Sequence, residues 1–595
     1  MLPNLRRVLP YYRPYRGQLV LGLVLVAVAQ GFSILLPWLL KIAIDALGRV
    51  ETTVGDAGLL AAALVLAALL GGLARFGMRE LLNGVSRRIE VDLRDDFFAH
   101  ILKLDASFFQ ETRTGDLMSR STNDILAVRQ ATGPALMYAV NTGVGFVMAL
   151  VLMLMISVRM TLLALVPLIL LPPAVLWFGR VIHRRFEEIQ EHYSTLSTMV
   201  QENLTGLRIV RAYTQERHQE ARFDALNHEY RQRNMRLAIA SGAFYPIMSF
   251  MAGLGMVVVL WVGGLQVIDG AITVGDYVAF FFYLTLLVWP MIALGWVTNL
   301  FQRGEASMGR ILKIMEREPK VLPPAVAAEV ERIRGKVEFE GVGFRYPGTE
   351  RWVLRDVTFT AEPGTTTAIV GATGSGKSTL VSLIPRIYDP DEGVIRVDGV
   401  PIPEWDPRTL REATGVVPQD TFLFSDTLRT NIALGLDSAE VLDEAGDDPR
   451  VEAASRIAQL HETIVDFPKA YETLLGERGI NLSGGQKQRA TLARAVARDP
   501  RILILDDALS AVDTQTEARI LADLRGVMAE RTSFLISHRI SAVMHAEQIL
   551  VVDDGRIVER GTHDQLVAES GIYAGLLRRQ TLEEAVRDVP EATPA

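Results

Sequence analysis

The chain has 595 residues, too many for one ordinary domain; 49% are hydrophobic, and the formal net charge is −8. That acidity argues against a nucleic-acid partner, because no basic field offsets phosphate repulsion. Cysteine is absent, which removes disulfides and thiolate metal sites and fits a reducing compartment.

In chain order, no cleavable signal is expected, since Arg6, Arg7, Arg13 and Arg16 precede an apolar stretch too long for an h-region. Residues 1–18, with Tyr11, Tyr12 and Tyr15 among those arginines, read as an interfacial helix. A membrane domain over 19–316 follows, with apolar segments near 19–44, 57–82, 134–157, 160–180, 243–266 and 277–300. Each is long enough for a helical crossing, which takes about 20 residues. The two long gaps, 83–133 and 181–242, carry seven and nine Arg or Lys; the short gaps hold only Arg49 and Arg159. The positive-inside rule puts both long loops and both termini in the cytoplasm of a multi-pass protein of the cell (inner) membrane. Helical spacing without proline over 84–104 and 186–201 predicts that the loops extend the membrane helices, with tips near Phe108–Gly115 and Gly206–Tyr213 that reach a second domain. Arg75, Arg79, Asn141 and Asn299 are candidate polar groups facing a cavity, with end-snorkelling or interhelical hydrogen bonding as the alternative.

A proline-bearing linker at 317–335 leads to a soluble α/β domain over 336–580 and a tail over 581–595. Gly371-Ala372-Thr373-Gly374-Ser375-Gly376-Lys377-Ser378, continued by Thr379, fits a P-loop lying between the strand-like 366–370 and the helix-like 380–387. Its glycines let backbone N–H groups curl round phosphates, Lys377 reaches the β- and γ-phosphates, and Ser378 holds Mg²⁺. The run Ile502-Leu503-Ile504-Leu505 reads as a strand buried on both faces, ending in Asp506 and Asp507, where open parallel sheets bind ligands. Asp506 is the candidate Mg²⁺ carboxylate, and Asp507 has the place of a general base or water-positioning group. His538 and Gln419, each after a strand-like run, are candidates to reach the γ-phosphate and to sense Mg²⁺ or the attacking water. Tyr346 is placed either to stack on adenine or simply to pack. Leu482-Ser483-Gly484-Gly485-Gln486 reads as a turn opening a helix, a phosphate-binding start whose ligand need not belong to its own chain.

The order of Tyr346, the phosphate loop, Gln419, the LSGGQ run, Asp506, the Ser510–Asp513 turn and His538 resembles the ATP-binding cassette nucleotide-binding domain. With six spans in front, residues 1–580 resemble a half-transporter of the exporter type. That resemblance implies a dimer with two ATP molecules, each held between one chain's phosphate loop and the other chain's signature residues Ser483, Gly484, Gly485 and Gln486. It also implies loop tips that act as coupling helices, and an ATP-driven switch of the cavity from inward to outward facing. Gly476-Glu477-Arg478-Gly479 matches the exporter segment that meets those helices, although Leu474 and Leu475 stand where an acid is often seen.

The main departure is Asp507, where members competent in hydrolysis carry Glu. The chain therefore resembles the weaker-hydrolysing subunit of a heterodimeric multidrug exporter, whose partner is a second half-transporter with Glu at that position. A homodimer with slow hydrolysis is the alternative. An ATP-gated channel of the same fold would need an open conduction path, and the six spans exclude a soluble cassette ATPase. Spans rich in Leu, Val, Ala and Met, with few ionisable groups, favour an amphipathic substrate (drug, lipid or peptide) over a small ion.

Overall fold

The computed structural model describes residues 2–48, 53–328, 332–436, 448–476 and 479–587, the side chains of 583–587 excepted. The expected exporter segment at Glu477-Arg478 and the tail beyond 587 lie outside the described residues. Two compact units result: Met1–Leu102 with Thr114–Arg317, and Lys103–Arg113 with Glu318–Ala595.

In the first unit, among the described residues, six helices are long and apolar enough to cross a membrane: α1 (Leu5–Leu47), α2 (Val54–Ile101), α4 (Thr114–Ile156), α5 (Val158–Thr205), α7 (Glu216–Ile268) and α8 (Val274–Met315). They have 42 to 53 residues. At about 1.5 Å per residue each exceeds a hydrocarbon core of about 30 Å by a factor of two, so each must project beyond it. The charged stretches between the apolar segments are thus helix extensions, as their spacing predicts. Capping boxes start α2 (Thr53 with Asp56) and α8 (Thr273 with Asp276). Lys41 pairs with Asp276 at 2.6 Å, and Asp45 accepts from the Gly275 N–H at 2.9 Å, which ties the end of α1 to the start of α8. Far along α4 and α8, Asp124 takes a two-pronged bond from Arg310 at 2.9 and 2.5 Å and a third from Ser307 at 3.0 Å. The N-terminal tyrosines, expected at an interface, are used inside this unit: Tyr11 and Tyr15 donate to Asp96 and Asp92 on α2, at 2.7 and 3.0 Å. Large apolar side chains such as Leu73 and Phe76 on α2 are 60 and 70% exposed, a surface suited to lipid or a second chain.

The second unit contains two sheets. Strands β1 (Val337–Phe344), β2 (Leu354–Ala361), β4 (Glu392–Val397) and β5 (Val400–Pro401) form an antiparallel sheet in the order β2-β1-β4-β5. The other sheet runs β10-β9-β3-β8-β7-β6, from β3 (Thr366–Val370), β6 (Thr414–Val417), β7 (Ile502–Asp506), β8 (Thr532–Ile536), β9 (Gln548–Asp553) and β10 (Arg556–Gly561). All its pairings are parallel except that of β10 with β9. Strand β7 is buried throughout. Ile502 and Ile504 join a core with Phe339, Phe359 and Phe534, whereas Leu503 and Leu505 face a second core with Leu492 and Ala493. This is the two-sided burial that four consecutive aliphatic residues predict.

The short helix α3 (Ala106–Glu111) belongs to this unit: Gln110 donates to the Tyr388 hydroxyl at 2.6 Å, and Asp105 accepts from the Lys320 N–H at 3.1 Å. The tip of the first long loop therefore packs with the sheet-bearing part of its own chain. The second tip, α6 (Leu207–Ala212), has no buried residue, and Ile209 is 66% exposed. The last helix, α12 (Ile572–Arg587), runs through the expected start of the tail at 581, because no proline or glycine interrupts 576–588.

Candidate nucleotide-binding site

Strands β3, β8, β7 and β6 lie side by side and parallel, so their C-terminal ends share one edge. The sequence places the phosphate loop after β3, His538 after β8, Asp506 and Asp507 at the end of β7, and Gln419 after β6. One topological fact gathers candidates scattered in sequence from Gly371 to His538. The loop then turns into α9 (Lys377–Ser382). Its glycines are required at two positions. A Cβ on Gly371, at φ +150°, would lie 2.1 Å from the Val552 carbonyl oxygen, and one on Gly376, at φ +103°, would lie 2.8 Å from that of Val353.

Lys377 is buried, and its Nζ donates to the carbonyl oxygens of Gly371 and Ala372 at 3.0 and 2.8 Å. Burial pulls its ammonium below the usual lysine range, against the pull of Asp506 and Asp507. Burial likewise pushes the Asp506 carboxyl up, with Asp507 adding to the rise; a hydrogen bond from Ser378 and the charges of Lys377 and His538 oppose it. Among the described residues, Asp506 Oδ1 and Ser375 Oγ are buried with no hydrogen-bond partner. Two hard oxygen ligands, Ser378 and Asp506, with one oxygen orphaned, fit a divalent cation, and the backbone curl beside Lys377 fits the phosphates.

Tyr346 lies at this site too. Its hydroxyl meets Thr379 Oγ1 at 2.9 Å, and its ring packs edge-on against Tyr388. With Trp352, Gly374, Gly376, Ser378 and Thr379 it lines a cavity of about 340 Å³. Asp507 is half-buried in the left-handed region, at φ +47°, with its N–H bonded to the Ile536 carbonyl at 3.0 Å. Gln419 and His538 are exposed at the same edge. Ser483 opens the 14-residue helix α10 (Gly484–Ala497) through a capping box with Gln486. Ser483 and Gly484 are exposed, and Ser483, Gly484, Gly485 and Gln486 do not line the cavity beside the phosphate loop.

Comparison with known proteins agrees with this arrangement. Residues 19–291 match the family described as ABC transporter transmembrane region, and residues 354–510 match the family described as ABC transporter. The chain is 37% identical over 581 residues to the multidrug resistance-like ATP-binding protein MdlA of Escherichia coli (strain K12), covering 98% of this chain and 96% of that protein. The chain belongs to the ABC transporter family.

Among other relatives of this ABC transporter, the ATP-dependent lipid A-core flippase of Burkholderia pseudomallei (strain 1710b) is 34% identical over 591 residues, covering 98% of this chain and 96% of the flippase. The structure of a bacterial Atm1-family ABC exporter with ATP bound superposes with a TM-score of 0.76 at 30% identity, covering 95% of this chain and 99% of that one. The protein is therefore an ABC half-transporter of the exporter family, with six membrane helices fused to an ATP-binding domain.

Three groups that support the ABC site were not singled out from the sequence. Gln488, buried on α10, donates to Ser510 Oγ at 2.9 Å and accepts from the Ala511 N–H at 2.9 Å, clasping the turn after Asp507 to the signature helix. Gln580 on α12 accepts from the Ile540 N–H at 2.8 Å and donates to the His538 carbonyl, which holds the histidine loop from both sides. Buried Glu517 pairs with Arg539, next to His538. A polar residue on the buried face of α10, three before Thr491, was the available signal for Gln488. Nothing local marks Gln580, which is 42 residues from the carbonyl it holds.

Proposed function

We propose that this chain is one subunit of an ATP-driven exporter that moves amphipathic or hydrophobic compounds out of the cytoplasm or inner leaflet by alternating access. We assign it the weaker-hydrolysing half of a heterodimer, with the nucleotide-binding domain and both termini cytoplasmic. The observation that carries the two-chain reading is the exposed signature start at Ser483, outside the cavity of its own phosphate loop. A helix N-terminus of this kind offers free N–H groups to a phosphate, and the phosphate it meets belongs to a second chain. Lys377 and the loop amides hold the triphosphate, Ser378 and Asp506 hold Mg²⁺, and Tyr346 lies beside the base. Gln419 and His538 flank the γ-phosphate and the attacking water. Bound Mg²⁺ supplies charge neutralisation as the γ-phosphoryl group leaves. Asp507 supplies the acceptor, from a position about 1 Å short of a glutamate's reach.

The uncovered tip α6 supports docking on the partner's nucleotide-binding domain, as α3 does on its own. The test is steady-state ATPase of the purified chain, alone and with a candidate partner carrying Glu at the base position. In the assembled pair, Asp507→Asn should leave most activity, because the partner's site keeps its Glu, whereas Ser483→Arg should remove nearly all of it by blocking closure over the partner's ATP. A chain active alone and silenced by Asp507→Asn is a homodimer, and ends the heterodimer assignment. Undiminished azido-ATP labelling of a Lys377→Ala chain would overturn the loop assignment itself.

A further inference from the structure

Between α1, α2, α4 and α8 the helical unit encloses a polar cavity of about 190 Å³, lined by Gln30, Arg75, Arg79, Tyr138, Asn141 and Trp289 among others. Arg75 and Arg79 stand four residues apart on α2, so both guanidinium groups lie on one face of that helix. Arg75 gives one of its five N–H donors to Ser33 Oγ at 2.7 Å. Among the described residues neither arginine forms an ion pair, and the neighbouring Glu80 is not among the lining residues. The rest of the wall is neutral: Gln30 donates to Asn141 Oδ1 at 2.7 Å, and Tyr138 packs edge-on against Trp296. Both arginine side chains are exposed, and two cations without a counter-ion in a membrane domain are placed to meet an anionic group. The depth is informative as well. From the first apolar residue of α2, near 57, Arg75 and Arg79 are roughly 27 and 33 Å along the helix, at the far boundary of a hydrocarbon core about 30 Å thick. In the orientation proposed above, that boundary is the inner leaflet.

We propose that Arg75 and Arg79 form a headgroup subsite for a transported amphiphile that bears a phosphate or carboxylate. This rests on the exporter reading and narrows its substrate class. The cavity is smaller than the 300–1,000 Å³ that encloses a whole drug-sized ligand, so it takes the headgroup and leaves the chain to the exposed apolar surface. The planar forks of two arginines suit a tetrahedral or planar oxyanion, Gln30 and Asn141 add neutral donors, and Trp289 forms an aromatic wall. A cationic or uncharged amphiphile would leave both guanidinium groups desolvated and unmatched.

The test uses the full chain in phosphatidylcholine nanodiscs, titrated with dodecyl phosphate, dodecyltrimethylammonium or phenyl phosphate. Tryptophan emission is the readout, and a Trp289→Phe chain isolates the signal from the cavity. Dodecyl phosphate should bind at least about tenfold more tightly than dodecyltrimethylammonium. Its affinity should fall at least about tenfold in the double variant Arg75→Gln/Arg79→Gln and recover in part in Arg75→Lys/Arg79→Lys, which keeps the charge and reports on folding. Phenyl phosphate, with the anion but no chain, should bind much more weakly. Equal affinity for the two long-chain probes, an unchanged double Gln variant, or a full emission change in Trp289→Phe overturns the subsite. Phenyl phosphate binding as tightly as dodecyl phosphate overturns the amphiphile and leaves a free-anion site. ATPase measured in the same samples separates the two levels. Charge-blind binding with intact ATPase defeats the subsite alone, whereas charge-selective binding without ATPase, alone or with a partner, defeats the exporter reading.

Discussion

Asp507→Glu sets two effects of known size against each other. The added methylene advances the carboxylate by about 1 Å, and misplacement of that order costs about a hundredfold in rate, or about 2.7 kcal/mol. The opposing term is conformational. Residue 507 has φ +47°, and the left-handed region costs an ordinary L-residue about 1–2 kcal/mol but suits aspartate better. The exchange therefore adds at most about 1 kcal/mol of backbone strain, partly held by the hydrogen bond from the residue 507 N–H to Ile536. Reach wins by about 1.7 kcal/mol, which predicts turnover at this chain's own phosphate loop about 20-fold faster. The assay pairs the chain with a partner whose P-loop lysine is replaced by alanine, so that only this site turns over, and follows phosphate release under saturating Mg-ATP. A change of less than twofold with unaltered nucleotide affinity would refute the idea that carboxylate reach limits this site.

Further outcomes follow from the same geometry. Gln488→Ala leaves the Ala511 N–H without its acceptor at a cost of about 1–3 kcal/mol; kcat should fall at least tenfold in the assembled pair, while the KM for ATP moves less than threefold because Gln488 does not touch the phosphate loop. Burial raises the folded-state pKa of Asp506, so protons compete with Mg²⁺ at higher pH than for a free aspartate. As pH falls toward the ordinary carboxylate range, Mg-nucleotide affinity should weaken, and the nucleotide-free protein should gain stability over the same window, since its Asp506 binds a proton more readily than the unfolded chain does. Nucleotide titrations and thermal melts across that window read both signs. Cysteines placed in this cysteine-free chain as the pair Gln110→Cys and Tyr388→Cys should crosslink within one chain, whereas the pair Ile209→Cys and Tyr388→Cys in one chain should give no intramolecular crosslink; such a product would contradict the proposed docking of α6.

Much of this protein is local chemistry, and the sequence determined it unaided. The P-loop needs its glycines wherever it is read, because Gly371 and Gly376 meet backbone carbonyls that no Cβ could approach. Four aliphatic residues from Ile502 to Leu505, ending in two acids, suit a strand buried on both faces. Six apolar runs of membrane-spanning length, with basic residues concentrated in two of the gaps, marked the helical half before any coordinates. Tertiary structure decided the rest. Only the strand order β3-β8-β7-β6 places Lys377, His538, Asp506 and Gln419 on one edge, since β3 pairs with β8 and β9 and not with the strands next to it in the chain. The clasp of Gln488 on Ala511, the grip of Gln580 on His538, and the cavity that gathers Arg75 and Arg79 with residues of three other helices are contacts across 23, 42 and more positions. Periodicity records which face of an element is buried. It does not record what that face meets, because a partner distant in sequence is fixed by packing geometry, which no local pattern encodes.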